Sequence, residues 1–187
     1  MKKSNCITVI PIGQVPDVAC KAIMSHIRSL LHMDVQLKSP LPEAHYALDP
    51  VRNQYNAALI LHRLESSFSP PPSKILGVIN RDLFIPVFTH VFGEAREGGQ
   101  CALVSLFRLR ERTGGIAPSQ ELILQRTVKV ALHELSHLFN VPHCSSTQCL
   151  MHFSMNLQHL DATPMSLCTY CDAYLREAIQ RSLPDCS

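Results

Sequence analysis

The stretch His133-Glu134-Leu135-Ser136-His137-Leu138-Phe139-Asn140-Val141-Pro142-His143 constrains this chain more than any other. Its two leading histidines are four residues apart, so on a helix they project from one face and both imidazoles reach a common point. Glu134, rotated by about 100° from His133, lies beside that point. His143 returns to it only if the chain leaves the helix and reverses between residues 138 and 143, where Val141-Pro142 forbids a continuing helix. Three imidazoles and one open position are the donor set of a catalytic zinc bound at about 2.0 to 2.1 Å, with Glu134 placed to hold a zinc-bound water. The competing reading is that these are ordinary core or surface histidines. It needs a coincidence: at this composition the His-Glu-x-x-His pattern arises in roughly two such sequences in a hundred, and with the third His in roughly one in a thousand.

Immediately downstream, Cys144-x4-Cys149 and Cys168-x2-Cys171 supply four thiols in two short pairs. That is the composition of a closed tetrahedral zinc site with bonds of about 2.3 Å. A disulfide pair and a redox-active Cys-x-x-Cys are the alternatives. The compartment argues against the first. Residues 7–10 are too short for a signal peptide and are interrupted by Pro11, Pro16 and Asp17, and no stretch approaches the ~18 apolar residues of a membrane span. The chain therefore reads as cytoplasmic, with reduced thiols. No thioredoxin-like context surrounds the second pair. Because Cys144 directly follows His143, a structural ion there would also anchor the third histidine. Cys6, Cys20 and Cys101 read as small buried residues and Cys186 as a tail residue. His152 and His159 read as surface or supporting residues rather than ligands.

The rest of the chain suggests an α/β architecture. Its 187 residues, 46% of them hydrophobic and 17% charged, suit one domain, 1–187, with a sheet-and-helix part at 1–140 and a zinc-stabilised part at 141–187. Residues 6–13, 33–37 and 74–80 read as strands, and the apolar periodicity at 17–31 and 52–64 reads as helices, the second closed by the Pro70-Pro71-Pro72 run. Residues 91–95 and 101–109 form a strand pair around the polar, Gly-rich loop 96–100, the first of them an edge strand. Pro118-Ser119 opens the long helix that carries the histidines, and 172–183 is a C-terminal helix. Lys and Arg (17) barely exceed Asp and Glu (15), and no basic run occurs, which excludes a dedicated nucleic-acid binder.

On these residues the chain resembles the metzincin metalloproteases. Cys144, Cys149, Met151 and Cys168-Thr169-Tyr170-Cys171, with the stretches 92–95 and 103–109, resemble more narrowly the archaemetzincins. The resemblance implies a compact α/β metzincin domain with a mixed twisted sheet. It implies a catalytic zinc on His133, His137 and His143, Glu134 as general base, and a Met-turn at Met151, for which Met155 is the rival. Two positions depart from the family pattern. Asn140 replaces a glycine at the turn, and asparagine is the best substitute for a left-handed conformation. The 16 residues between Met151 and Cys168 are one fewer than the family's spacing, a change a loop absorbs.

The expected activity is zinc-assisted hydrolysis of a peptide or protein substrate, with an extended peptide lying antiparallel to the edge strand at 90–95. Two Zn2+ per chain are expected, one catalytic and one structural. The protein is expected to be a monomer without a nucleic-acid or membrane partner, and the residues before 118, needed for the sheet, leave no inhibitory prodomain. The alternative is a zinc-stabilised peptide-binding module with little or no turnover, which has no use for a carboxylate at Glu134.

Overall fold

The computed structural model describes residues 6–68 and 74–182; Pro70-Pro71-Pro72 and Cys186 lie outside them. A five-stranded sheet in the order β2-β1-β5-β9-β8 organises the chain. β1 (Cys6–Ile12), β2 (Asp34–Leu37), β5 (Lys74–Ile79) and β9 (Cys101–Ser105) run parallel, and β8 (Gly93–Ala95) closes one edge antiparallel to β9. The central strands β1, β5 and β9 are nearly continuous apolar runs because helices cover both faces. Ile7, Val9, Leu76, Val78, Ala102 and Val104 pack with α1 (Asp17–His26), α3 (Gln120–His137) and α5 (Thr169–Ser182). Ile10, Ile12, Ile75, Ile79 and Leu103 point the other way, onto Ile60, Leu61 and Leu64 of α2 (Ala57–Ser67). Gly77 lets α2 approach that closely, since a Cβ there would stand 3.0 Å from Leu64 and Leu103.

Several elements differ from the sequence expectation, each for a local reason. The helix expected over 52–64 begins at Ala57, because Asn56 Oδ1 accepts from the N–H groups of Ala58 and Leu59 and caps it. The three residues before it form β4 (Gln54–Asn56), which with β3 (Leu48–Asp49), β6 (Leu83–Ile85) and β7 (Phe88–Val91) makes a second, four-stranded sheet. Strands of two to four residues carry too little alternation to be read in a sequence. The strand expected over 91–95 breaks at Phe92, with β7 in the second sheet and β8 in the first. Residues 106–109 leave the sheet, as Arg108 bonds the Asp82 carboxylate at 2.6 and 2.7 Å and a 3-10 turn forms at Arg108–Arg110. The helix expected over 17–31 is α1 extended by one π-helical turn, Ile27–Leu31.

α3 begins where Ser119 Oγ accepts from Leu122 N–H, and it runs 18 residues to His137. It buries Arg126 completely, and all five guanidinium N–H groups are matched: Leu109 O, Glu111 O, Thr113 Oγ1 and both Asp161 oxygens. Asp161 belongs to α4 (Leu157–Ala162), a helix too short to show periodicity, which this ion pair fastens onto α3. Among the described residues no helix is long and apolar enough to cross a membrane.

Candidate active site

His133 and His137 occupy the last turns of α3 with their Nε2 atoms 3.1 Å apart. Each ring is held from behind: His133 Nδ1 meets Leu150 O at 2.8 Å, and His137 Nδ1 meets Val141 O at 2.8 Å. A carbonyl only accepts, so both Nδ1 atoms carry the proton and both Nε2 atoms present lone pairs to the same point. Two lone pairs so close repel unless a cation lies between them. Donors at about 2.0 to 2.1 Å in a tetrahedral zinc shell stand about 3.3 Å apart, so the set fits the ion. Burial keeps the imidazoles neutral, the metal-binding form. His133 is pushed down to about 3 by desolvation and then by His137, and burial lowers His137 and His143 too.

The turn after α3 brings in the third ring. Asn140 has φ 61°, its N–H donates to His137 O at 3.0 Å, and Val141 N–H donates to Ser136 O at 3.2 Å. This pair of bonds is a Schellman helix end with asparagine at the left-handed position. His143 then stands with its ring centroid 5.2 Å from that of His133 and 4.7 Å from that of His137. One nitrogen from each of the three lies within 4.8 Å of the others.

Glu134 is buried beside these rings. Burial first, and then the neighbouring Glu94, raise its carboxyl well above the usual range. A dication on the imidazoles acts in the opposite direction and favours the carboxylate. Gly93 of β8 makes room: a Cβ there would stand 2.6 Å from Glu134 Cγ.

Cys144, Cys149, Cys168 and Cys171 form the second cluster. Cys144 Sγ and Cys168 Sγ are 4.0 Å apart, against about 3.8 Å for thiolates in a tetrahedral zinc site and about 2.05 Å for a disulfide. Cys168 N–H donates to Cys149 Sγ at 3.3 Å. The Cys171 backbone N–H in the first turn of α5, before the other thiols, pulls Cys168 down to about 7, while burial raises Cys171. Cys144 N–H donates to Met151 O at 2.8 Å, so the segment carrying His143 is fastened at the next residue. Met151 is fully buried, whereas Met155 is 67% exposed on the wall of the cleft. His152 Nδ1 meets Cys144 O at 3.1 Å, and His159 is exposed on α4. Cys20 and Cys101 are buried and pushed up to about 11 and about 12 by burial. Cys6, expected to be buried, is only half-buried at the start of β1.

All three histidines and Glu134 line a cleft of about 410 Å³ between α3, the β7–β8 segment and residues 150–160. Among the described residues β8 pairs with β9 alone, and its outer edge faces this cleft.

The pattern of peptidase family M54 matches residues 47–177. The chain belongs to peptidase family M54. It is 33% identical over 183 residues to the archaemetzincin of Pyrococcus furiosus, covering 95% of both chains. The crystal structure of archaemetzincin from Methanopyrus kandleri superposes with a TM-score of 0.83 at 30% identity, covering 96% of this chain and 97% of that one. A zinc-dependent peptidase from Methanocorpusculum labreanum gives 0.81 at 28% identity, covering 90% of this chain and 99% of that one.

As a family M54 member the chain is a zinc metallopeptidase, and its substrate is a peptide or protein. Four charged residues of its cleft and of the cleft's support were not singled out from sequence. Glu94 and Glu97 lie on and just after β8, and Lys129 reaches the cleft from α3, while Asp161 stands behind it on α4. Lys129 alone had a legible signal, since it precedes His133 by four residues and shares its helix face.

Proposed function

We propose that the chain hydrolyses peptide bonds with a catalytic zinc held by His133, His137 and His143, and that Cys144, Cys149, Cys168 and Cys171 hold a second, structural zinc. The observation that carries the reading is the convergence of imidazole lone pairs 3.1 Å apart with a buried carboxylate alongside. Zinc, when bound, supplies a Lewis acid that makes water acidic near neutral pH and polarises the scissile carbonyl.

The chain's own residues do the rest. Leu150 O and Val141 O fix the tautomers of His133 and His137, so no proton competes at Nε2. Glu134 accepts the proton of the attacking water and delivers it to the leaving amine, a role that needs its carboxylate ionised and within hydrogen-bond reach. The outer edge of β8 offers main-chain groups for an extended peptide, which adds antiparallel and brings its carbonyl over the histidines. Met151 packs beneath them as the Met-turn. The chain works as one domain, with 141–187 anchored through its thiolates to the turn that carries His143.

A peptide-binding module without turnover would leave Glu134 costly and idle, because a carboxyl buried beside Glu94 destabilises the fold. The test is digestion of a diverse peptide library read by mass spectrometry, wild type against Glu134→Gln. Zinc content should persist in Glu134→Gln while turnover falls at least ~10² to 10⁴-fold. Equal cleavage by both proteins would refute the role of Glu134, and zinc-dependent binding without cleavage by wild type would replace the peptidase with the module.

A further inference from the structure

Buried Arg126 and Lys129 and the partly exposed Asp161 form a cluster whose charges do not cancel. Asp161 gives both oxygens to Arg126 at 2.6 Å, so this carboxylate is already satisfied by a guanidinium with no exposed surface. Among the described residues Lys129 Nζ donates to two neutral groups, Leu160 O at 2.9 Å and Asp161 O at 3.1 Å. Those bonds use two of the three ammonium N–H groups, and among the described residues no third acceptor lies within hydrogen-bonding distance. Desolvation lowers the Lys129 pKa, with Asp161 opposing it and Arg126 reinforcing it. Two cations thus share one anion. Lys129, only 7% exposed, contributes to the wall of the active-site cleft beside Val130, Ser154, Met155 and Leu160.

The direction of the chain decides which part of a substrate meets this cation. Gly93 lies against Glu134, and Gly98 N–H donates to His137 O at 2.9 Å, so β8 and the loop after it advance in the same sense as α3. A peptide antiparallel to β8 therefore runs against α3, from the His137 end towards the Lys129 end. Lys129 sits about 6 Å before His133 along the helix axis and on the same face. It consequently falls on the leaving-group side, within reach of the residue that follows the scissile bond. Glu97, whose charge partly opposes the burial-driven lowering of His137 and His143, stands at the opposite end, so the cleft is polarised along the substrate.

We infer that Lys129 is a specificity residue that selects a carboxylate on the residue immediately after the cleaved bond. This rests on the hydrolytic reading above and on its antiparallel substrate. The carboxylate comes either from an Asp or Glu side chain or from a free C-terminus, both of which supply an acceptor to the third N–H and an anion to the uncompensated charge. In a cleft with apolar walls that pairing is weakly screened. The alternative is that Lys129 only caps the carbonyls at the end of α4.

The test uses the zinc-loaded 187-residue chain and peptides that differ only after the cleaved bond: Glu, Gln, Leu or Lys, each amidated, plus the Leu peptide with a free C-terminal carboxylate directly after that bond. Wild type should favour Glu over Gln roughly 10- to 100-fold in kcat/KM, the range of a hydrogen bond to a charged group. Lys129→Met should bring that ratio to about one, and Lys129→Arg should keep it above one. A preference for the free-acid Leu peptide over its amide, larger than that for Glu over Gln, would assign the terminal carboxylate as the ligand. Binding to Glu134→Gln protein by calorimetry repeats the Glu and Gln comparison without turnover. If that binding discriminates while wild type cleaves nothing, the hydrolytic reading fails and Lys129 keeps its role. Equal Glu and Gln values in wild type, with no gain from a free carboxylate, overturn the inference, as does an unchanged ratio in folded Lys129→Met.

Discussion

Asp161→Asn removes one charge and leaves the fold's most demanding cation without its partner. Arg126 is fully buried, and two of its donors, Nε and Nη2, end on Asp161 at 2.6 Å. Breaking a buried pair by removing one partner costs about 3 to 5 kcal/mol. The Asp161 side chain is 24% exposed, so water recovers part of the loss and about 3 kcal/mol is the better figure. For a chain of this length that is a fall in Tm of roughly 6 to 12 °C. The sign with pH follows from Arg126, which holds the Asp161 carboxyl below its usual range. A carboxyl with a depressed folded pKa contributes its stability above the unfolded value of about 3.9 and loses it as pH falls through the folded one. The gap between wild type and Asp161→Asn should therefore be full at pH 7 and shrink below about pH 4. Urea unfolding at pH 7 and pH 3.5 measures both, and an Arg126→Met/Asp161→Asn double variant measures the coupling. The double variant should be less damaged than the two single losses added together, because neither charge is then stranded. A pH 7 loss under about 1 kcal/mol, or strict additivity, would show that the pair is an ordinary surface bridge.

Protein purified without chelator should contain close to two zinc ions per chain by elemental analysis, and the histidine-bound one should leave to a chelator first, as an open site exchanges faster than a closed thiolate site. One equivalent or fewer, with Cys144, Cys149, Cys168 and Cys171 freely titratable, would remove the second site. Cys171→Ser should cost several kcal/mol of stability, a large share of the ~5 to 15 kcal/mol of an ordinary domain, and thermal melting that matches wild type would make the thiol cluster dispensable. Asn140→Gly should be neutral within ~0.5 kcal/mol, whereas Asn140→Ala should cost about 1 kcal/mol because alanine resists positive φ. An Asn140→Ala protein as stable as wild type would mean that the helix end relaxes out of its left-handed turn.

The parts of this molecule that are legible in sequence are those where one short segment must satisfy several geometric demands at once. His133, Glu134 and His137 share a helix, and Asn140 with Pro142 must end it, so the spacing specifies a turn that the φ of 61° and the Schellman bonds realise. β1, β5 and β9 were legible because strands buried on both faces are apolar throughout. The second sheet, α4 and the charged cluster were not, and the reason is distance along the chain. Asp161 meets Arg126 across 35 residues, and Gln54 meets Asp82 across 28, so no local pattern announces either bond. The polarity of the cleft is of this second kind. The spacing of Lys129 from His133 places it on the histidine face of α3, but its contacts with α4 are not local, and the shared direction of β8 and α3 says which end of a peptide it would meet. The donors proposed for the catalytic zinc are therefore local and readable, whereas the selectivity proposed for the cleft rests on contacts that exist only once the chain has closed on itself.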